Sequence, residues 1–569
     1  LRNYYIRKAE EKKRYSNVSM VVFFLFFLSL TLAPFKVYGA SEVSNKDEMR
    51  AVWVSTVYNI DWPSAGDYSN IEAQKATFVE NMNFVSNLNL NTVFFQARGM
   101  GDAMFPSSYA PWSKYLTGTQ GKNPGYNPLQ FALEEAHKKG LEFHAWFNPF
   151  RIYVDSEGNT FDKAAYIKAL PDGSPLKSNP QWIVQYGKYH WLDIGIPEVR
   201  AYVTNLILEV VRNYDIDGVH IDDYFYPYKV SGIDFPDKST YELYGKGFSS
   251  VEDWRRENVN TFVRELNRKI KETKGHVKFG ISPFGIWRNG EQVGGSDTNG
   301  LSSYDSLYVD SKKWVQEEWI DYIIPQIYWE FNHKVAPYGK LVDWWSKQVE
   351  GKNVQLYIGL AAHKVGYTSN GEAWGNPQEI INQIKYGRNN PNVKGSSFFS
   401  LKSLKNNNLN IQGNLKGVYG EKVKTPEMSW LGKWTLIDNK WYFLDKNNGK
   451  VTGWLKYRNN WYYLGEDGAR RVGWVKSYGS WYYLNNDGTM ATGWIKDRNL
   501  WYYLEDSGRM ATGWRQLGGD WYYLDGSGSM ATGWRLDRGK WYYMYTNGIM
   551  AKNTVIQGYR LGKDGAWIR

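Results

Sequence analysis

Between residues 49 and 400 the chain alternates short apolar runs with longer stretches in which apolar positions recur every three or four residues. The short runs, 51–55, 92–97, 141–147, 216–222, 277–282, 322–326, 355–360 and 395–400, are too brief for helices and predict strands. The intervening stretches, 75–88, 128–139, 197–214, 250–271, 311–318, 341–349 and 377–388, predict helices. Pro128, Pro197 and Pro377 stand early in three of them, where a missing N–H costs no hydrogen bond, and Asn127 and Asn376 precede two of these prolines as N-caps. Eight strands separated by helices over roughly 350 residues predict an α/β fold of the (β/α)8 TIM-barrel type. A doubly wound open sheet is the alternative, but no glycine-rich phosphate loop follows any strand.

The pattern changes after residue 400. A polar, Asn-rich stretch, 402–414, leads into a basic linker, placed at 420–429, after a barrel domain spanning 41–419. From 430 to 569 the chain repeats itself about every twenty residues. Trp434, Trp454, Trp474, Trp494, Trp514 and Trp534 follow Gly or Lys in register, and Trp441, Trp461, Trp481, Trp501, Trp521 and Trp541 each open a Trp-Tyr-Tyr or Trp-Tyr-Phe run. Asp-Gly and Asn-Gly turns recur at 467–468, 487–488 and 547–548. Short aromatic strands joined by such turns predict stacked β-hairpins, an all-β solenoid in which each unit buries its aromatic face against the next. At the other end, Arg2, Arg7, Lys8, Lys12, Lys13 and Arg14 precede an apolar run, 18–33, and the small residues Gly39 and Ala40. A basic start, an apolar middle and a small-residue exit predict a secretory signal peptide over 1–40, removed to leave a soluble chain outside the cytoplasm with no membrane partner. An uncleaved membrane anchor is the competing reading.

Composition adds three constraints. Aromatic residues make up 17% of the 569 residues, including 28 Trp and 44 Tyr, and half of the Trp fall in the repeats. There is no Cys, which removes disulfide frameworks and thiolate metal sites. The formal charge is +11, but residues 1–39 carry seven Lys and Arg against Glu10 and Glu11, so about +6 belongs to the remainder. That balance suits an anionic cell wall, and no nucleic-acid module accompanies it.

In a barrel of this kind the chemistry gathers at the C-terminal ends of the strands. The fourth strand ends in Asp222 and Asp223, followed by Tyr224, Phe225, Tyr226 and Tyr228. Paired acids opening into an aromatic loop suit glycosidic bond cleavage, with the acids moving protons and the rings covering sugar faces, although one Asp could simply cap the next helix. The other strand ends offer Gln96 and Arg98, then His144, Trp146 and Asn148, then Ser282, and finally Gln326, Tyr328, Trp329 and Glu330. We expect Asp222, Asp223 and Glu330 to be catalytic and the others to contact substrate. His144 has a second reading as a hydrogen-bonding residue of the barrel, Trp329 and Trp146 as core, and Arg98 as a carboxylate-orienting group. No His, Asp or Glu spacing resembles a zinc or calcium motif, so no metal and no cofactor is expected.

Several of these runs are familiar in sequence. Ala51-Val-Trp-Val54, Tyr126-Asn-Pro-Leu129, His144-Ala-Trp-Phe-Asn-Pro149, Asp217-Gly-Val-His-Ile-Asp-Asp-Tyr224, Gly280-Ile-Ser-Pro-Phe-Gly285 and Pro325-Gln-Ile-Tyr-Trp329 resemble the glycosyl hydrolase-like 10 family, formerly domain of unknown function 187. The resemblance implies a TIM-type barrel, glycoside hydrolysis and the glycan strands of bacterial peptidoglycan as substrate class, with Asp222, Asp223 and Glu330 as the acids to watch. The fourth-strand motif also resembles that of family-eighteen chitinases, Asp-Gly-x-Asp-x-Asp-x-Glu, except that Tyr224 holds the position of the final Glu and His220 that of the first inner Asp. The chitinase-type proton donor is therefore missing. Asp222 is expected as nucleophile or stabiliser, Glu330 as general acid/base and Asp223 as the neighbour that raises a pKa by like-charge repulsion. Substrate assistance by an N-acetyl group stays open.

The C-terminal units resemble the choline-binding or cell-wall-binding repeat of Gram-positive surface proteins. That resemblance implies aromatic cages built from Trp454, Trp461, Trp474, Trp481, Trp494, Trp501, Trp514, Trp521, Trp534 and Trp541 together with a Tyr of the next repeat, suited to a quaternary ammonium or to a sugar face. Within each Trp-Tyr-Tyr run the central Tyr is expected to be core. The expected protein is a secreted wall glycoside hydrolase held at the cell surface by its repeats. A non-catalytic glycan-binding adhesin and a hydrolase of another polysaccharide are the alternatives.

Overall fold

The structure, a computed structural model, describes residues 47–428, 432–445, 449–457 and 460–568. The signal peptide expected over 1–40 lies outside them. The eight apolar runs form parallel strands: β1 (Met49–Val54), β2 (Thr92–Arg98), β3 (Glu142–Phe147), β4 (Gly218–Ile221), β5 (Lys278–Ile281), β6 (Tyr322–Ile323), β7 (Gln355–Leu360) and β8 (Val393–Phe398). They pair in chain order and β8 closes on β1, so the sheet is a barrel. Every residue of β1, β2 and β3 is buried, as strands covered by helices outside and side chains inside must be.

The covering helices include Ile71–Asn87, Pro128–Lys138, Pro197–Asn213, Val251–Thr273, Ser311–Gln316, Tyr338–Val349 and Gln378–Asn389. Asn127 caps its helix by accepting from the Gln130 N–H. Asn376 departs from expectation, because Pro377 occupies the cap position and the Asn376 side chain accepts from Gln378 N at 3.0 Å. β6 is shorter than its sequence run because Pro325 has no N–H for a ladder, and the run continues only as bridges from Gln326 to Phe284 and Gly359.

Two features escaped the sequence pattern. Between β3 and β4 the chain makes a small antiparallel sheet from Arg151–Val154, Ile183–Tyr186 and Tyr189–Leu192, four residues each. The stretch after β8 that reads as polar folds into helices Leu401–Lys405 and Ile411–Val418, which bury Leu401, Leu404, Ile411 and Leu415.

The stretch read as a linker lies against the barrel. Lys424 bridges to Asp47, and Met428 is 1% exposed among Met49, Tyr322 and Tyr357, closing the N-terminal face. Burying such a side chain contributes about 1.5–3 kcal/mol. Antiparallel hairpins follow, from Lys433–Ile437 with Lys440–Leu444 to Thr554–Ile556 with Tyr559–Leu561. Successive units are stitched by one backbone bond each, such as Met490 N to Trp461 O at 2.7 Å and Met510 N to Trp481 O at 2.8 Å. The second hairpin sends the Lys456 ammonium to Asp215 at 3.0 Å and Asp217 at 3.5 Å, just before β4. The repeats therefore rest on the N-terminal face of the barrel, opposite the strand ends that carry Asp222.

Candidate active site

Side chains on β3, β4 and β5 enter the barrel at every second residue, as the strand period requires. Glu142, His144 and Trp146 climb β3; Gly218, His220 and Asp222 climb β4 and its end; Lys278, Gly280 and Ser282 climb β5 and its end. At the lowest level the Lys278 ammonium donates to both Glu142 oxygens, at 2.9 and 2.8 Å. Burial pushes the Glu142 carboxyl up, but Lys278 and His144 outweigh it and hold it at about 2.

The middle level is a network around the Tyr322 hydroxyl, which lies 2.8 Å from His144 Nδ1 and 3.2 Å from His220 Nδ1. The Trp53 indole donates to His220 Nε2 at 3.2 Å, and Ser282 Oγ lies 3.0 Å from the same nitrogen. An accepting Nε2 fixes the neutral tautomer with the proton on Nδ1, and burial, with His144 beside it, holds the His220 pKa well below its ordinary value. Two glycines make room here. A Cβ on Gly218 would stand 2.3 Å from His144 Nδ1, and one on Gly280 would stand 2.1 Å from the Tyr322 ring.

The upper level opens at the mouth. Asp222 Oδ2 accepts from the Trp146 indole at 3.0 Å and from Asn148 Nδ2 at 3.4 Å, while Oδ1 accepts from the Tyr224 N–H at 3.3 Å. It is 4% exposed. Burial first, then the neighbouring Asp223 carboxylate, pushes its pKa up to about 7 against the pull of Arg151 and the indole. Asp223 accepts from the Tyr228 hydroxyl at 2.5 Å and from Gln326 Nε2 at 3.2 Å. Burial raises its pKa too, and these two donors oppose the rise. Gln326 is itself fixed by donating to Ser282 O at 2.8 Å. Arg151 donates to Gly99 O at 2.7 Å and lies 4.7 Å from the Tyr224 ring centroid. Burial, with Asp223 and Tyr224 nearby, holds the Tyr328 hydroxyl pKa far above its ordinary value.

Asp222, Asp223, Trp146, Asn148, Tyr224, Ser282, Gln326 and Tyr328 thus share one site. Other expected site residues make their contacts with groups other than the two aspartates. His144 sits one level down, fully buried on Tyr322 and Glu142, because its place two residues before Trp146 puts it deeper in the barrel. Gln96 accepts from Ser55 Oγ and from the N–H groups of Thr56 and Val57, which spends its carbonyl on the loop after β1. Arg98 is fully buried and donates to Asp102 O at 3.3 Å. Trp329 packs edge-on against Phe284 at 5.5 Å. Glu330 lies directly against the Gly371 loop, where a Cβ on Gly371 would be 2.4 Å from its Oε2. That oxygen is buried without a hydrogen-bond partner, and neither carboxylate of the aspartate pair shares a donor with it.

In the repeats, each groove joins two Trp of one hairpin to a Tyr of the next. Trp474 lies 6.4 Å from Trp481 and 4.8 Å from Tyr502, and Trp514 lies 6.3 Å from Trp521 and 4.9 Å from Tyr542. The grooves of Trp454 with Trp461 and Tyr482, and of Trp494 with Trp501 and Tyr522, repeat this geometry. Trp534 faces Tyr559 at 5.4 Å, and Trp541 is 40% exposed. The central Tyr, expected in the core, is buried at Tyr442 and Tyr482, and at Tyr482, Tyr502, Tyr522 and Tyr542 it packs across the groove on the preceding hairpin. The third residue packs on its own hairpin instead, as Tyr483 does on Trp474 at 5.1 Å. Such three-ring corners attract a cation through the ring quadrupoles.

Residues 48–375 match the family described as glycosyl hydrolase-like 10. The chain belongs to that family. Residues 431–472, 471–513 and 511–555 match the choline-binding repeat. The glycosyl hydrolase-like 10 chain is 45% identical over 413 residues, 71% of its length and 79% of the relative's, to glycosyl hydrolase YngK of Bacillus subtilis. It is 38% identical over 371 residues, 63% of its length and 84% of the relative's, to glycosyl hydrolase DigH of Escherichia coli K12. Among solved structures, CbpJ of Streptococcus pneumoniae is 46% identical over 24% of this chain and 48% of its own, with a TM-score of 0.24. This glycosyl hydrolase-like 10 protein is a glycoside hydrolase with a (β/α)8 barrel and C-terminal choline-binding repeats.

Sequence reasoning missed Trp53 and Tyr322, which hold the histidine layer, and Tyr228, which holds Asp223. The period of two along β1 and β6 offered a signal for the first pair, since Trp53 and Tyr322 fall at inward positions. Tyr228 lies in a loop, where no period applies.

Proposed function

We propose that this protein cleaves the glycan strands of peptidoglycan outside the cell, with Asp222 as the proton donor and the repeats holding it on choline-bearing wall polymer. The observation that carries the assignment is the unequal support of the two aspartates. Asp223 receives the short Tyr228 bond and the Gln326 amide, both of which favour its charged form, whereas Asp222 is pushed up to about 7. Burial raises both carboxyls and like-charge repulsion favours one proton between them; we assign that proton to Asp222, on which the Asp223 charge acts directly.

The proton passes from the Asp222 carboxyl to the glycosidic oxygen as the bond to the anomeric carbon breaks. Asp223, ionised, balances the positive charge that develops on the ring. We assign attack on the anomeric carbon to the substrate itself rather than to either aspartate. The carbonyl oxygen of the sugar's own N-acetyl group fills that role, closing onto the anomeric carbon. Water then opens this intermediate and returns a proton to Asp222, with retention of configuration. This assigns Asp222 the acid role first expected of Glu330. Glu330→Gln should lower turnover by less than about tenfold; a loss as deep as that of Asp222→Asn would restore Glu330 as the acid.

The deciding experiment incubates the full chain with intact sacculi, with peptide-free glycan strands and with the same strands after N-deacetylation, and identifies soluble products by mass spectrometry. Fragments from acetylated strands alone are expected. Equal release from deacetylated strands would remove the N-acetyl group from the reaction, and no release from any of them would remove peptidoglycan as substrate. The cages support wall retention because a trimethylammonium group fits among two Trp and a Tyr. Tethering then raises the local concentration of the barrel without any new contact at the mouth.

A further inference from the structure

The first groove of the array differs from those that follow. Its rings are Trp434, Trp441 and Tyr462, with Trp434 and Tyr462 5.0 Å apart. In the later units the residue after each turn is Met490, Met510, Met530 or Met550, and in the first step that position is Arg470. The Arg470 guanidinium lies 5.9 Å from the Trp434 ring centroid. It is held there by donating to Asp487 O at 2.6 Å and Asn486 O at 3.4 Å, so a fixed positive charge stands at this groove.

The groove also opens onto the underside of the barrel, forming a cavity of about 580 Å³ whose walls include Asn91 and Lys424 as well as these rings. That volume is far larger than a trimethylammonium group and lies within the range of small-ligand sites. Of the two acids among its described walls, one is paired with a cation and the other keeps its charge. Glu142 is neutralised by Lys278, and the Asp487 carboxylate accepts from the Thr489 N–H and hydroxyl at 2.9 and 2.6 Å. With Glu142 paired and Asp487 ionised, Arg470 and Lys424 leave the cavity one positive charge in excess. Trp441, 41% exposed, offers an aromatic face beside these charges.

We infer that this junction cavity binds an acidic saccharide, its ring on the tryptophans and its anionic group on Arg470 and Lys424, and that it does not bind choline. A carboxylated sugar and a phosphorylated sugar present the same chemistry. Neither the catalytic assignment nor choline binding by the other grooves is needed for this inference. Arg470→Met tests it cleanly, since Met occupies the same position in the next four units and folds there.

Isothermal titration of the full-length protein with N-acetylmuramic acid, N-acetylglucosamine 1-phosphate and neutral N-acetylglucosamine reads the preference directly. At least one acidic sugar should bind about tenfold or more tighter than the neutral one, and the stronger of the two identifies the carboxylate or the phosphate source. In Arg470→Met that advantage should vanish while hydrolysis stays unchanged. Titration with choline should show one more equivalent bound in the variant than in the native chain. Equal affinity for acidic and neutral sugars, or an acidic preference that survives Arg470→Met, would overturn the inference. An unchanged choline stoichiometry in a chain whose other grooves fill would overturn its exclusion of choline.

Discussion

Asp222→Asn should lower glycan cleavage by about 10²–10⁴-fold, the usual worth of a positioned proton donor, without unfolding the barrel. Asn keeps an oxygen for the Trp146 indole, so the local geometry survives while the transferable proton is lost. The variant should even gain stability at alkaline pH. The native carboxyl titrates near 7 when folded against 3.8 as its ordinary value, so the folded chain holds the extra proton between those values. Raising the pH through that window costs the native protein stability, up to about 4 kcal/mol for this one group, and Asn escapes the cost. Activity should follow the same group, falling as pH rises through about 7 because the donor form disappears. Paired measurements of turnover and thermal unfolding from pH 5 to 9 test both halves. A native rate that climbs across pH 7 would make Asp222 a base, and undiminished turnover in Asp222→Asn would remove it from the reaction.

The barrel was legible because its strands are covered on both faces and so read as mostly apolar runs of five to seven residues. The aspartate pair was legible because strand ends in such a fold carry the chemistry. What the pattern did not supply was depth. His144 and Trp146 are two residues apart on one strand, and only the level at which β3 pairs with β4 decides that Trp146 meets Asp222 while His144 meets Tyr322. The same limit applies to Glu330, which follows a run ending in Gln326 but stands in the loop beyond it, where strand period gives no direction. The hairpins were legible from their turns, yet the partner across each groove was not, because Tyr482 and Tyr483 are adjacent in sequence and only the stacking of units sends one across and keeps the other at home. Polarity misled at 401–418, where a few Leu and Ile spaced for one helical face suffice among many Asn.

Lys456→Met should cost about 3–5 kcal/mol at the joint between barrel and repeats, because it strands buried carboxylate charge. Lys456 is 7% exposed and Asp217 is 6% exposed. Burial pushes the Asp217 carboxyl up, but Lys456, His137 and the Phe143 N–H together hold it below the usual carboxylate range. A depressed folded pKa means that this stability is present at neutral pH and lost as pH falls through the folded value, so the native joint resists mild acid. Without the ammonium, Asp217 keeps only His137 and the Phe143 N–H, each at 2.8 Å, and its pKa should rise toward the ordinary range or beyond. Calorimetry of the variant should then show the repeats melting apart from the barrel at neutral pH, with the separation narrowing as pH falls from 6 to 4 and Asp217 takes up a proton, whereas Lys456→Arg should keep the native behaviour. An unaltered melting profile would mean that Met428 and the segment before it carry the joint unaided. The consequence for function follows from topology. The repeats sit on the N-terminal face and the aspartates open on the other, so a rigid joint points the mouth away from the polymer that the repeats grip. A loosened joint should leave hydrolysis of soluble strands intact and reduce release from sacculi, because the barrel would no longer be held toward strands beyond its own anchor.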